Sequence, residues 1–269
     1  MATKSGMGYD ETDKKLSSRI NVHGQLAEKD IDPWILQLAN VKKGENILDV
    51  GCGNGKQVVS FGKVLDNTGE LVASDVSAEL LGNAKEKAEE NKFTNVKFVE
   101  QDMDDPFDFK DEYFDLISCC FTIYYSNNPK KLIKEFYRLL KPGGRLFIAG
   151  PSPKNTFDFW NLHEKVSNKS VPEKALVRRV RIEKELIPLV KKYFTDVKIE
   201  IFDNAIHFKT TDQLIDYYTS SLLFKESYSN EEEKDQIIER MRKEVDDEIE
   251  KNSEFLIKKQ VYGVIGVKK

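Results

Sequence analysis

The sequence contains few of the residues on which metal-binding and disulfide-rich proteins depend. Its 269 residues include three cysteines and three histidines, and none of them has the close spacing of a zinc site. The cysteines are odd in number, and Cys119 and Cys120 are adjacent, which does not suit a structural disulfide. We therefore expect no metal ion and a reducing, cytoplasmic environment.

Long apolar runs are also missing. No stretch of about 18 apolar residues is present, as a membrane-spanning helix would need, and the polar segment 1–15 lacks the apolar core of a signal peptide. The formal net charge of -4 provides no general positive field for a nucleic-acid backbone. These absences predict a soluble protein without membrane contact and argue against a nucleic-acid substrate.

The sequence does contain a regular alternation of short apolar runs and helical patterns between residues 45 and 150. This alternation is typical of βαβ units that form a parallel sheet. Five strands are predicted there, a sixth around Val197–Ile201 and a seventh at Phe255–Val267. The first five are predicted at Asn46–Val50, Leu71–Ser74, Val96–Glu100, Phe114–Cys119 and Arg145–Ala149.

Three predicted helices begin with recognisable capping residues. Asn128 stands before Pro129, and Ser77 precedes a helical pattern that runs to about Lys92. The segment Ser229–Glu232 matches a capping box. These signals predict where the helices start along the chain.

The most informative segment joins the first strand to the next helix and reads Asp-Val-Gly-Cys-Gly-Asn-Gly from Asp49 to Gly55. Glycines let backbone amides approach a ligand closely, and the start of a helix favours negative charge. A phosphate-binding P-loop would need Ser or Thr at Gln57, and a dinucleotide-binding loop that starts at Gly51 would need Gly or Ala at Lys56. The segment therefore disfavours a cofactor that contains a pyrophosphate.

Two acidic residues lie at the ends of the first two predicted strands. Asp49, beside the glycine turn, would repel a pyrophosphate but pair with an ammonium group, while amides of the turn and of the helix start receive a carboxylate. Asp75 closes the second strand about 20 residues after the loop, where an acidic side chain accepts hydrogen bonds from the hydroxyls of a ribose. Together the two carboxylates describe a nucleoside joined to an amino acid.

The glycine turn, Asp75, the segment Gln101-Asp102-Met103 and the turn Leu140–Gly144 together resemble class I S-adenosylmethionine-dependent methyltransferases. The resemblance extends from Lys42 to Pro151. It implies a doubly wound α/β fold with a seven-stranded, mostly parallel sheet whose last strand is antiparallel. It also implies S-adenosyl-L-methionine as the cofactor.

The same resemblance implies roles for individual positions. The glycine turn would hold the methionine part of the cofactor, Asp75 the ribose, and Asp102 the adenine amino group. Val76 and Met103 would flank the adenine, and the segment from Cys119 to Phe121 would line the inner edge of the cofactor. The implied cofactor-binding residues are Asp49, Gly51, Cys52, Gly53, Gly55, Asp75, Val76, Asp102, Met103, Cys119 and Phe121.

Around this core the sequence predicts helical additions. Residues 1–44 form a helical extension over the cofactor site, in which Tyr9 would close over the cofactor. Arg19 and His23, one helical turn apart, would point toward the same pocket. Residues 45–269 form the methyltransferase domain, and its helical insertions at about 153–194 and 210–252 are predicted to form a lid over the substrate.

Candidates for the acceptor side follow the later strands. Tyr124 and Tyr125 come after the fourth strand, where many members of the family carry paired histidines, and His207 comes just past the sixth. Each of the three is a candidate catalytic residue, with a packing or surface role as the alternative. A general base is needed only for an acceptor that is protonated at the working pH.

Three functions are consistent with these residues. The first is methyl transfer to a small-molecule acceptor by in-line displacement, in which the enzyme mainly orients the acceptor. Arg178, Arg179 and Arg181 would attract an anionic acceptor or form a solvated helix face. The second is a regulatory module that binds the cofactor without turnover. The third is methylation of RNA or protein, against which stands the absence of an Asn-Pro-Pro-Tyr-like signature after the fourth strand.

Overall fold

The computed structural model describes residues 13–269, and its central element is a seven-stranded sheet. The strands are β1 (Asn46–Val50), β2 (Glu70–Asp75), β3 (Val96–Glu100), β4 (Phe114–Cys120), β5 (Leu140–Pro151), β6 (Thr195–Phe208) and β7 (Phe255–Val267). Their order across the sheet is β3-β2-β1-β4-β5-β7-β6. The neighbours from β3 to β5 are parallel, and β7 runs antiparallel to both β5 and β6. The predicted sheet with an antiparallel last strand is confirmed.

Four strands are longer than predicted, β2 and β4 by one or two residues and β5 and β6 by several. β5 begins at Leu140 rather than Arg145, because Leu140 already pairs with Phe114 before an irregularity in the register. β6 extends to Phe208, so His207 lies within the strand rather than past it. The reason is β7, which runs alongside β6 over its whole length and continues the hydrogen bonding beyond the alternating apolar pattern.

Helices flank the sheet on both faces. They are α1 (Asp13–Leu26), α2 (Asp32–Ala39), α3 (Lys56–Leu65), α4 (Ala78–Glu90), α5 (Pro129–Leu139), α6 (Phe157–Ser167), α7 (Glu173–Arg181), α8 (Ile187–Tyr193), α9 (Thr211–Thr219), α10 (Leu222–Lys225) and α11 (Glu231–Asn252). A π-helical turn at Ile182–Leu186 joins α7 to α8, and a 3₁₀ turn spans Ile123–Tyr125. Within residues 13–269 no helix has the length and apolar character needed to cross a membrane.

The predicted caps of α4 and α5 are confirmed. The Ser77 hydroxyl accepts a hydrogen bond from the amide of Leu80, and the Asn128 side chain accepts one from Lys131. The capping box predicted at Ser229–Glu232 is wrong, because α11 is capped by Asn230, whose side chain accepts a hydrogen bond from the amide of Glu233 at 2.9 Å. The Glu233 carboxylate accepts from the amide of Ser229, the residue before the cap, at 2.7 Å.

The sheet is buried on both faces because neighbouring residues of a strand point to opposite sides. On one side Ile47 and Phe147 pack against α2, α3 and α4, where they meet Phe61. On the other side Leu48 and Ile148 pack against α5, the π turn and α8. All five side chains are fully buried, and each such burial stabilises the fold by about 1.5–3 kcal/mol.

The two helices of the predicted amino-terminal extension pack on two different surfaces. In α2, Ile35 and Ala39 are buried in the apolar cluster on one face of the sheet. α1 runs instead to β6, where Ala27 forms an isolated bridge with Ile206. Of residues 13–44, only α1 and the segment that follows it contribute to the cavity described below.

A separate apolar cluster lies on the carboxyl-end side of the sheet, where α6, α9 and α11 meet the end of β6 around the buried Tyr218. We call α6, α7, α9, α10 and α11 the lid helices. The π turn and α8 are not among them, because Ile182, Leu186 and Val190 pack beneath the sheet. The predicted lid insertion at about 153–194 is therefore too long, since helical periodicity does not say which surface an apolar face will meet.

Candidate functional site

A cavity of about 480 Å³ opens at the carboxyl ends of the central strands. Gly51 follows β1, Phe121 follows β4, and both line it. These strands are neighbours in the sheet although they are not consecutive in the chain, and such a switch in strand order is where open α/β sheets bind ligands. Lid residues, among them Phe159 of α6 and Tyr217 of α9, line another part of the cavity.

The turn after β1 depends on glycine at two positions. Gly51 has a φ of +67°, and a side chain there would place its Cβ 2.3 Å from the Thr122 hydroxyl. Gly55 has a φ of +85°, and its Cβ would lie 2.8 Å from the Cα of Ala84 in α4. Only glycine enters the left-handed region at no steric cost. The turn therefore lies tight against β4 and α4.

The amides of this turn are engaged within the protein, which corrects part of the prediction. Gly51 and Cys52 donate to the carbonyl of Ser74 at 2.7 and 3.0 Å, and Gly53 donates to the carboxylate of Asp75 at 2.9 Å. The first amides of α3 have no carbonyl to bond within their own helix. The donors left for an anionic group are thus at the start of α3, where Lys56 and Gln57 also line the cavity.

Asp75 is at once a structural and a candidate ligand-binding residue. One of its oxygens accepts from Gly53 and the other from the amide of Ser77, each at 2.9 Å. The side chain is 5% exposed and lines the cavity. Burial raises its pKa, while the hydrogen bonds from Ser77 and Gly53 oppose the rise. Because a carboxylate oxygen has two acceptor sites, Asp75 retains capacity for further donors.

Asp49 is the least satisfied polar group near the site. It lies in β1 between Ala73 of β2 and Ser118 of β4 and is 1% exposed. No donor within the described residues reaches its Oδ2. Burial raises its pKa to about 7, the Ser118 hydroxyl opposes the rise, and the charge of Asp75 adds to it. A buried carboxyl in this state is stabilised by a positively charged partner.

The residues predicted to surround the adenine lie beside the cavity and outside its lining. Val76 is 40% exposed at the end of β2, and Met103 packs against the apolar cluster on one face of the sheet. Asp102 accepts a hydrogen bond from the amide of Asp104 at 3.0 Å. The amide of Gln101 donates to the carbonyl of Asp75, so this segment is adjacent to the candidate ribose site.

The cysteine prediction is corrected by strand alternation. Cys119 is fully buried in the core, while Cys120 points to the other side and lines the cavity with Phe121 and Cys52. Burial raises the thiol pKa of Cys52, Cys119 and Cys120, which makes them poor nucleophiles. Phe121 has a φ of +58°, a backbone conformation that is costly for a non-glycine residue and is concentrated at functional sites.

Tyr124 and Tyr125 both line the cavity. Their rings are tilted against each other with centroids 4.8 Å apart. Arg181 donates to the carbonyl of Tyr124 at 3.0 Å, and the guanidinium of Arg178 lies 5.3 Å from the Tyr125 ring. The two tyrosines are part of a packed network and also face the cavity. This position is consistent with a packing role as well as with a catalytic role.

His207 does not belong to this group. Its ring nitrogens contact Glu28 at 3.2 Å and Glu254 at 3.1 Å, and it is absent from the described lining of the cavity. The geometry favours the alternative of a surface histidine whose ring nitrogens both have partners. The sequence expectation depended on a strand that ended before it, whereas β6 continues past it.

Of the residues predicted to cover the site, His23 is the one whose position can be described. It lines the cavity and meets the ring of Tyr217 edge-on at 6.2 Å. Tyr9 and the side chain of Arg19 lie outside the described residues.

Several lining residues had no signal of their own in the sequence. These unpredicted lining residues lie in or just before the lid helices, in β6 and in β7. They are Asn155, Thr156, Phe159, Trp160, Phe202, Tyr217 and Lys259. The one available hint was the aromatic content of the predicted lid helices, since aromatic residues are common in ligand pockets.

Known proteins resemble this chain in sequence and in fold. A family model described as a methyltransferase domain matches residues 41–214. The ubiquinone/menaquinone biosynthesis C-methyltransferase UbiE of Stutzerimonas stutzeri (strain A1501) is 32% identical over 116 residues, which are 43% of this chain and 45% of that protein. This chain therefore spans less than half the length of that relative.

Two solved structures cover most of the chain. A methyltransferase of Bacillus halodurans C-125 superposes with a TM-score of 0.61 at 19% identity, over 88% of this chain and 98% of that one. An S-adenosylmethionine-dependent methyltransferase of Aquifex aeolicus superposes with a TM-score of 0.58 at 16% identity, over 97% and 100% of the two chains. At these identities the likeness concerns the fold.

Proposed function

The chain belongs to the methyltransferase-domain family, and we propose that it transfers the methyl group of S-adenosyl-L-methionine to a small-molecule acceptor. The family model covers residues 41–214, which include the glycine turn, both candidate carboxylates and the first lid helices. The observation that carries the proposal is the buried Asp49 carboxyl, one oxygen of which has no donor among residues 13–269. Asp49 is not itself part of the cavity lining but lies two residues before Gly51, where the turn that lines the cavity begins.

The donor side is argued from three groups. Asp49, whose pKa burial raises to about 7, binds the ammonium group of the methionine part. The first amides of α3 receive its carboxylate, because the start of a helix carries partial positive charge. Asp75 accepts the ribose hydroxyls with the acceptor sites that Gly53 and Ser77 leave free.

The acceptor side is argued from the rest of the cavity. Aromatic side chains from the 3₁₀ turn after β4 and from the lid helices, among them Tyr124, Tyr125 and Trp160, line the same space as the glycine turn. Such a wall suits a small molecule with an apolar or aromatic body. The 480 Å³ of the cavity is a volume typical of small-molecule sites.

When bound, S-adenosylmethionine supplies a methyl group that its sulfonium makes transferable. The chain's own residues hold the acceptor in line with that methyl group and exclude water, a contribution of roughly 7–11 kcal/mol in favourable systems. Tyr124 and Tyr125 are the candidates for contact with the acceptor, and a proton is removed from it only where the accepting atom carries one. We keep the cytoplasm as the proposed location, since the three cysteines are buried free thiols.

The test is the pH dependence of S-adenosylhomocysteine binding, followed by calorimetry. Because an ammonium group favours the ionised form of Asp49, binding releases a proton and strengthens as the pH rises from about 6 to about 8. Asp49→Asn should bind more weakly at the upper end and lose this dependence. Asp75, whose pKa is also raised, is present in both proteins, so the difference between them reports Asp49 together with its electrostatic coupling to Asp75.

The folded state of each protein is checked by urea unfolding. Since the folded pKa of Asp49 is raised above its unfolded value, its contribution to stability is lost as the pH rises from about 4 to about 7, and Asp49→Asn should lack this loss. Absence of binding would refute the proposal as a whole. Binding that is equally pH-dependent in both proteins would refute the role of Asp49 alone, and binding without methyl transfer to any small acceptor would favour the regulatory module.

A further inference from the structure

The three arginines near the end of α7 do not form a solvated face. Arg181 is 9% exposed, forms an ion pair with Glu185 and donates to the carbonyl of Tyr124. Arg178 and Arg179 are half-buried and line the cavity. The three arginines are close together on one helix but make different contacts. The surroundings of Arg179 are the ones that indicate a ligand.

Arg179 is held in a fixed orientation. Its guanidinium lies over two aromatic rings, 4.8 Å from the centroid of Phe157 and 4.8 Å from that of Trp160. Its Nε donates to the carbonyl of Pro153, in the loop after β5. Stacking and this hydrogen bond together fix the plane of the guanidinium, and a guanidinium fixed in this way loses little entropy when it binds a planar anion.

Among the side chains that the structure describes, none compensates the positive charge of Arg179. Arg145 contacts Glu45 and Arg181 contacts Glu185, each at 2.8 Å, whereas no carboxylate of these side chains lies within ion-pair distance of Arg179. Burial also lowers its pKa, in agreement with a guanidinium that is partly removed from water. A half-buried cation in this state is stabilised by an anion from outside.

The residues that line the cavity also become more positively charged in the later part of the chain. Up to the 3₁₀ turn after β4, the charged lining residues are Lys29, Asp30, Lys56 and Asp75, two of each sign. From the end of β5 onward they are Arg178, Arg179, Glu226 and Lys259, three of them basic. The part of the lining that belongs to the lid and to β7 is therefore the more positive one.

We propose that Arg179 binds an anionic group, a carboxylate or a phosphate, on the methyl acceptor. This inference rests on the proposed function, because it assigns the lid side of the cavity to the acceptor. With Nε committed to Pro153, the two terminal nitrogens of Arg179 remain to donate a pair of hydrogen bonds to the two oxygens of such a group. Trp160, Tyr124 and Tyr125 line the same cavity as Arg179 and would contact the body of the acceptor.

The experiment compares matched probes on the protein saturated with S-adenosylhomocysteine. Benzoate is compared with benzamide and phenyl phosphate with phenol, each by calorimetry. The variants are Arg179→Gln, which removes the charge, and Arg179→Lys, which keeps it but loses the paired geometry. Arg242→Gln is the control, since Arg242 pairs with Asp212 on the outer surface of the lid helices.

We expect at least one anion to bind about tenfold more tightly than its neutral counterpart, as hydrogen bonds to charged groups allow. Arg179→Gln should abolish this preference, Arg179→Lys should retain part of it, and Arg242→Gln should leave it unchanged. The pair that shows the preference identifies the carboxylate or the phosphate as the preferred group.

Two outcomes would overturn the proposal. One is a panel in which neither anion binds better than its neutral partner, and the other is a preference that survives in Arg179→Gln. S-Adenosylhomocysteine binding is measured first on every variant and should be the same in all. Failure of that binding would sink the proposed function itself, whereas normal binding without an anion preference would sink only the role of Arg179.

Discussion

The glycine-turn side and the lid side of the cavity position their polar groups by different means. At the turn, backbone amides bond to Ser74 and to the carboxylate of Asp75, and the conformation depends on glycines with positive φ. At the lid, Arg179 is oriented by Phe157 and Trp160, side chains of another helix. One side is therefore determined by backbone geometry and the other by side-chain packing.

This difference has a consequence for tolerance to change. A backbone turn pressed against β4 and α4 leaves no room for a side chain at Gly51 or Gly55. A side-chain network can be altered at one contact while the helices that carry it remain folded. We therefore expect a substitution on the turn side to lower both protein stability and cofactor affinity. On the lid side, we expect that a substitution can change one of these two quantities without the other.

The largest effect is expected from Gly55→Ala. The left-handed backbone and the contact with Ala84, at 2.8 Å from the new Cβ, should together cost roughly 2–5 kcal/mol. Gly82→Ala is the matched control, because Gly82 is exposed within α4 with nothing close to its Cβ, and it should stabilise the protein by about 0.5–1 kcal/mol. Urea unfolding measures both, and equal stability of the two variants would break the comparison on the turn side.

A smaller effect is expected from Asp75→Asn. The amide replaces a group that accepts from Gly53 and Ser77, and we expect affinity for S-adenosylhomocysteine to fall by about 1.5–3 kcal/mol. Asp66→Asn, at an exposed aspartate that pairs with Lys43, is the isosteric control. Unchanged affinity in Asp75→Asn would exclude the ribose assignment.

The smallest effect is expected on the lid side, from Tyr218→Phe. The Tyr218 hydroxyl lies 2.8 Å from Nδ1 of the buried His163, and its loss leaves that nitrogen unsatisfied, at a cost of about 1–2 kcal/mol of stability. Because neither residue lines the cavity, affinity for S-adenosylhomocysteine should not change. A parallel loss of affinity would show that the lid and the turn side are coupled more tightly than the packing indicates.

The features that could be predicted from the sequence are those that depend on interactions between residues close together in the chain or on regular patterns. The caps Ser77 and Asn128 act on amides three residues away, so a short stretch of sequence contains the whole interaction. The seven strands were predictable from apolar runs, and the two acidic strand ends could be placed together because parallel strands end on one edge of a sheet. The errors lie where a distant partner decides, as at His207, where β7 prolongs β6.

The choice between Cys119 and Cys120 shows a second kind of limit. A strand pattern predicts that neighbours point to opposite faces, but the apolar neighbours on both sides look alike when the strand is buried throughout. Only the packing of α5 and α8 on one face identifies Cys119 as core and leaves Cys120 to the cavity. The arginines of α7 are a similar case, because their partners lie in α6 and in the loop after β5.

The sequence alone determined the sheet, the glycine turn and the placement of Asp49 and Asp75 at the same edge of the sheet. Each of these depends on periodicity or on spacing within one βαβ unit. Only the tertiary structure decided that the turn amides are taken by β2. It also decided that, among the described side chains, no donor reaches one oxygen of Asp49 and no carboxylate pairs with Arg179 at the cavity. These properties depend on contacts between segments far apart in the chain, and a side chain's neighbours across such a gap are set by how helices pack, which no local pattern encodes.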